Sequence, residues 1–255
     1  MSFVKKIFSL GFCGLVMANP LQLPQRIDSL DFNPLQDQFG NFTPKDINFC
    51  RELCENGGLA FNKAPEVALL FAYLKEQYDI DVAVETGTFQ ANTTAFLGSL
   101  FDEVHTFELD KSSFLAAREA LEEISHIHCH FANSGTDMGK ILESIKDKRV
   151  IFYLDAHWNE YCPLLDEIRQ IAKTHKDNCI IVIDDFELPG EIIGYRECTM
   201  DGIRDVLKDV FSEYTYHFIA TTDPVNKAPK GLIIPTKFVE KQTAENETAE
   251  NETAE

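Results

Sequence analysis

Two apolar runs in this 255-residue chain stop abruptly in carboxylates. Val150 to Leu154 runs into Asp155, then Ala156 and His157, and Ile180 to Ile183 runs into Asp184 and Asp185. Three carboxylates gathered on one rim raise each other's pKa unless a cation sits among them. Oxygen donors of this kind suit Mg2+ or another hard divalent cation rather than a soft metal. Asp155, Asp184 and Asp185 are therefore candidate metal ligands, and His157 is a fourth ligand or a general base. The competing explanation is plain: acidic residues commonly end strands and cap the helices that follow.

Three more positions carry chemistry by the same logic. Val82 to Glu85 is followed by Thr86-Gly87-Thr88-Phe89-Gln90-Ala91-Asn92. A glycine just after a strand permits a tight turn and close approach of a ligand to the backbone. A helix starting near Asn92 offers free N–H groups to a polar or anionic group. Glu108 ends a second β-rich run 23 residues after Glu85, the place where folds of this class bind ribose hydroxyls. Asn133 follows a third such run and either caps the next helix or touches a base.

These positions share a rim only if the chain folds as their spacing requires. Short β-rich runs recur at 82–85, 104–109, 127–131, 150–155, 180–184, 216–220 and 231–235. Helical patterns at 92–101, 111–124, 136–146 and 163–174 separate the first five, and another covers 199–211. Thr43-Pro44 marks a helix start for a pattern over 44–55, and 65–78 follows. Strand–helix alternation at this spacing means a doubly wound, Rossmann-like α/β fold with a mainly parallel seven-stranded sheet. The last two strands are joined by a Pro- and Asp-containing loop with no helix, so they pair antiparallel at the sheet edge. In such a sheet, ligands bind beyond the carboxyl ends of the strands.

Composition narrows the function. With 23 Lys and Arg against 42 Asp and Glu, the net charge of −19 argues against nucleic-acid binding through a basic face. Seven cysteines are too few for a disulfide scaffold. Cys50 and Cys54 are four apart without a second ligand pair, and His126, His128 and His130 alternate along one strand face, so none of these reads as a metal site.

Taken together, Val84-Glu85-Thr86-Gly87-Thr88, Thr106-Phe107-Glu108-Leu109-Asp110, Leu154-Asp155-Ala156-His157 and Ile183-Asp184-Asp185 resemble the class I S-adenosylmethionine-dependent methyltransferases over roughly residues 60–236. Among these, the set is most similar to the small metal-assisted O-methyltransferases of the catechol and macrolide-sugar type. The resemblance implies that Glu85, Gly87 and Thr88 belong to the turn holding the methionine part of S-adenosyl-L-methionine. It places Glu108 on the ribose, and Asn133 keeps its two readings as a helix cap or a contact to the base. It gives Mg2+ to Asp155, Asp184 and Asp185, with a small hydroxylated molecule as substrate; His157, read from its place after Asp155 and not from the family, is the candidate general base that joins Asp155 in the catalytic pair. Two departures stand out. Phe89 and Ala91 replace the second and third glycines of the family's turn, with Phe89 expected to narrow the loop, and no Lys follows Asp155 at short range. Two other readings remain open: a non-catalytic relative that kept the fold, and a different metal enzyme using the same rim.

The ends read differently. Residues 1–19 have the basic start and apolar stretch of a secretory signal or membrane anchor. That points to an exported or membrane-associated protein, whereas the methyl donor points to the cytoplasm. Residues 20–42 read as an irregular arm, and 43–236 as the α/β domain. The repeat TAENE within 237–255 has no large apolar side chain to bury, so a disordered tail is expected. Lid elements are expected from the N-terminal helices and from 186–199, with Tyr195 and Arg196 as candidate substrate contacts.

Overall fold

The computed structural model describes residues 60–157, 161–187, 195, 197–219 and 229–238. The signal-like segment, the arm, the 44–55 helix with Cys50 and Cys54, Arg196 and the acidic repeat lie outside the described residues.

The strands are β1 (Val82–Thr86), β2 (Glu103–Glu108), β3 (Ile127–Phe131), β4 (Val150–Leu154), β5 (Cys179–Ile183), β6 (Tyr214–Ile219) and β7 (Lys230–Pro235). The helices are α1 (Pro65–Tyr78), α2 (Asn92–Leu100), α3 (Lys111–Ala120), α4 (Ser134–Asp137), α5 (Gly139–Ser144), α6 (Leu164–Thr174) and α7 (Met200–Val210). One seven-stranded sheet has the order β3-β2-β1-β4-β5-β7-β6. The first five strands are mutually parallel, and β7 runs antiparallel to both β5 and β6. This is the doubly wound α/β architecture expected from the alternation, with one detail added. The reversed strand is β7, one place in from the edge, and β6 forms the edge itself.

The sheet is covered on both faces, and strand parity divides the core. Ala83, Val104, Ile151, Tyr153, Ile180, Val182 and Leu232 face one cluster with α1 and α2. Val82, Val84, Phe107, Phe152, Leu154, Ile181 and Ile183 face the other, with α6 and α7. Side chains alternate strictly along a strand. Continuous apolar runs such as Val150-Ile151-Phe152-Tyr153-Leu154 therefore serve both faces at once. Each amphipathic helix lays a single stripe on its layer, as Leu164, Ile168 and Ile171 do in α6.

The expected single helix at 136–146 is broken at Met138 into α4 and α5. The Gly139 N–H donates to the Gln170 side chain of α6 at 2.8 Å, so a tertiary bond replaces a step of the helical ladder. The folded region also reaches two residues past the expected start of the tail. Phe238 is buried, its ring against Tyr78 and under the Arg149 guanidinium.

Candidate functional site

The site is built where β1, β2, β4 and β5 end, and the β1–α2 turn connects them. Gly87 has φ +83, and a Cβ there would lie 2.9 Å from the Asp155 carbonyl carbon and closer still to its oxygen. The turn thus lies directly on the backbone that follows β4. Phe89 and Ala91 also take positive φ, 46° and 62°. The three positions where the resembled family carries glycine therefore keep the left-handed backbone, although two of them hold side chains that disfavour it. Phe89 does not narrow the loop: its side chain is 66 % exposed. Replacing Phe89 by glycine relieves about 1–2 kcal/mol of left-handed strain. It also loosens the unfolded chain by about 0.4–1 kcal/mol. A net gain of about 0.5–1 kcal/mol in urea unfolding is the expected result, and a loss would show that the ring packs.

Beneath the turn is a buried polar knot. Glu85, 1 % exposed, accepts the Thr94 hydroxyl at 2.5 Å and the Thr106 hydroxyl at 2.7 Å on one oxygen. The Thr88 and Thr106 hydroxyls share a 2.6 Å bond. Burial pushes the Glu85 carboxyl up to about 7, with the two hydroxyl bonds opposing and Glu108 adding. Glu85 and Thr88 thus grip α2 and β2 from below. Glu108, at the half-buried tip of β2, accepts the Phe89 N–H and the Asp110 N–H, each at 2.8 Å, one on each carboxylate oxygen. It clamps the turn from the side. Asn133 acts as a cap, its side-chain oxygen accepting Gly135 N–H at 2.9 Å and the Tyr161 hydroxyl at 2.7 Å. α2 begins after Ala91 with no side-chain cap.

The second half of the site lies beyond β4 and β5. His157 is buried, with Nε2 3.3 Å from Asp185 Oδ2 and 3.9 Å from Asp155 Oδ1. Its ring meets Tyr195 edge-on at 4.8 Å. Asp185 itself has φ 47°, a left-handed conformation that Asp tolerates better than most residues and that recurs at functional turns. Burial raises the Asp155 carboxyl well above its usual range. Lys230 opposes that rise, while Asp185, Glu85 and Glu167 add to it.

Asp184 is engaged elsewhere. It is 1 % exposed and forms an ion pair with the equally buried Lys230 through Oδ1. Oδ1 also accepts the Asp185 N–H at 2.7 Å, and Oδ2 accepts the Tyr153 hydroxyl at 2.6 Å. Among the described residues, no group of three or more His, Cys, Asp or Glu side chains is arranged to hold a metal ion. With Asp184 paired to Lys230 and bonded by the Tyr153 hydroxyl and the Asp185 N–H, the expected Asp155, Asp184 and Asp185 ligand set does not fit Mg2+. The three carboxylates sit at neighbouring strand tips, but the middle one is already neutralised by an ammonium.

Sequence reasoning missed Lys230, Tyr153 and Glu167. Glu167 sits on the buried stripe of α6, accepts the Ser134 hydroxyl at 2.5 Å, and is pushed by burial up to about 7. A carboxylate three residues after Leu164 and one before Ile168, on an apolar helix face, was the available signal. Lys230, heading an apolar strand, was another.

Comparison with known proteins finds structural neighbours and no family. No family model matches the sequence, and no curated protein does. Solved structures do. A putative O-methyltransferase from Klebsiella pneumoniae is 15% identical, with a TM-score of 0.49, covering 79% of this chain and 94% of its own. The O-methyltransferase from Bacillus cereus, in complex with SAH, is 14% identical with a TM-score of 0.45, covering 78% and 93%. An rRNA methylase from Streptococcus thermophilus gives 14% and 0.42, covering 64% and 93%. What the site does has to come from this chain's own residues.

Proposed function

We propose that the chain is an S-adenosylmethionine-dependent methyltransferase acting on a hydroxyl of a small molecule. One observation carries the reading. The β1–α2 turn holds three alternate residues, Gly87, Phe89 and Ala91, in left-handed backbone, and Glu108 clamps it at the tip of β2. A chain with no use for that turn would gain by relaxing it, because each strained non-glycine costs on the order of 1 kcal/mol.

The residues present fit the cofactor. The uncapped start of α2 and the half-exposed Glu108 offer N–H donors to a carboxylate and oxygen acceptors to a ribose. When bound, S-adenosylmethionine supplies an electrophilic methyl group on a sulfonium. The chain's own part is to bind and orient the acceptor hydroxyl and to take its proton. His157 is the group for that proton: Asp185 Oδ2 lies 3.3 Å from Nε2 and orients the ring. Proton acceptance does not depend on a lysine after Asp155. A different metal enzyme on the same rim would need Asp184, which Lys230 holds.

Isothermal calorimetry with S-adenosylmethionine tests the proposal. The wild-type chain is expected to bind one equivalent, and Glu108→Ala to weaken binding on the order of tenfold or more, the loss of a charged hydrogen-bond acceptor. No heat of binding at millimolar cofactor would sink the reading.

A further inference from the structure

Resting on that reading, we propose that Lys230 is the cation of this acidic rim and that the site works without a divalent metal. The juxtaposition follows from strand register. β5 and β7 pair antiparallel, with Val182 opposite Leu232 and Ile183 opposite Gly231. One step further sets Asp184 opposite Lys230. Parity agrees: Val182 and Leu232 face the same core cluster as Tyr153, so Asp184, Lys230 and Tyr153 emerge on one side of the sheet. The Tyr153 hydroxyl and the Lys230 ammonium then meet the same carboxylate from two neighbouring strands.

The arrangement is committed. Asp184 and Lys230 are each 1 % exposed. Drawing Asp184 away to a metal would break an ion pair formed by two fully buried groups, and breaking such a pair is strongly unfavourable. The ammonium thus takes up the carboxylate that a divalent ion would have to share with Asp155 and Asp185. It leaves Asp185 to His157. Gly231 helps to fix the ammonium: its missing Cβ leaves room for the Phe186 ring, 2.7 Å from where that atom would stand. The Phe186 N–H donates to the Pro229 carbonyl at 2.9 Å. The start of β7 is thereby pinned beside the end of β5. Lys230 is a positioning residue, acting through Asp184 on the Asp185 backbone and so on His157.

Mn2+ is the probe. Electron paramagnetic resonance of Mn2+ titrated into the full chain should show no saturable site up to about 1 mM, the weak end of carboxylate sites. Calorimetry with S-adenosylmethionine should give the same affinity, within about twofold, in EDTA and in Mn2+. Lys230→Met strips the counter-charge and should create a single Mn2+ site, tighter by on the order of tenfold or more. Lys230→Gln, which keeps a donor to Asp184, takes its place if the Met variant does not fold. A wild-type chain that binds one Mn2+ and loses it in Asp184→Asn would overturn the proposal. So would a folded, charge-free variant that gains no Mn2+ site. Failure to bind S-adenosylmethionine is a separate result: it would remove the methyltransferase reading, while the Mn2+ titration still decides the role of Lys230.

Discussion

Gly87→Ala is expected to destabilise the chain by about 3 kcal/mol and to abolish binding of S-adenosylmethionine. Two costs add. A φ of +83° is poorly accessible to alanine, and imposing it costs about 1 kcal/mol or more. The neighbouring Ala91, at φ 62°, shows that this conformation can be borne where space is available. At Gly87 it is not: the new methyl would overlap the Asp155 carbonyl group, which is backbone directly following the buried strand β4. Overpacking of this kind costs about 1–3 kcal/mol. Relief requires that the turn lift off β4, which breaks the Gly87 N–H bond to the Phe107 carbonyl at 2.9 Å and unseats Phe89 from Glu108. Urea unfolding gives the stability and calorimetry gives the binding. An Ala91→Gly control should be as stable as wild type or more so. A Gly87→Ala chain with unchanged midpoint would show that the turn is not held against β4.

Glu85 gives the second large effect, through pH. Its carboxyl is fully buried and titrates in the folded chain at about 7 against an ordinary 4.5, chiefly because burial disfavours the charged form. A raised folded pKa means that the folded state holds the proton more tightly than the unfolded one. Its contribution is intact below pH 4.5 and is lost as pH rises through 7. Above pH 8 the penalty approaches about 3 kcal/mol. Glu85→Gln removes that titration while its amide oxygen still accepts from Thr94 and Thr106. The expected result is a variant about 2 kcal/mol more stable than wild type at pH 8.5 and equal or slightly weaker at pH 5. His130 and His217, both pushed down by burial to about 4, slope the other way below pH 6.5. Comparing variant with wild type at each pH cancels their part. A difference independent of pH would show that Glu85 is ionised throughout.

The fold was legible because its signals are local. The run Val150-Ile151-Phe152-Tyr153-Leu154 has no polar interruption, and strand–helix alternation leaves few topologies for the first five strands. The rim was legible for the same reason: a parallel sheet must carry Glu108, Asp155 and Asp184 to one end. What the carboxylates do there was not legible. Glu85 and Glu108 look alike in sequence, yet one is sealed under Thr94 and Thr106 and the other clamps a backbone turn. Their difference depends on which way each strand residue faces at its tip. Asp184 read as a metal ligand because its partner is 46 residues away on a strand whose register no local pattern reveals. The break at Met138 likewise depends on Gln170 of another helix.

The placement of β7 has a consequence for how the molecule is made. Strands β1 to β5 emerge from the ribosome first and can collapse into a parallel half-sheet, since domains begin to form during synthesis at about 5–20 residues per second. In that half-molecule Asp184 already stands at the end of β5, but the lysine that answers it has yet to be translated. Insertion of β7 between β5 and β6 delivers that lysine last. Until then the edge of β5 lacks the strand that pairs with it in the finished sheet. The same lysine that pairs with Asp184 thus also arrives with the strand that joins β5 to β6.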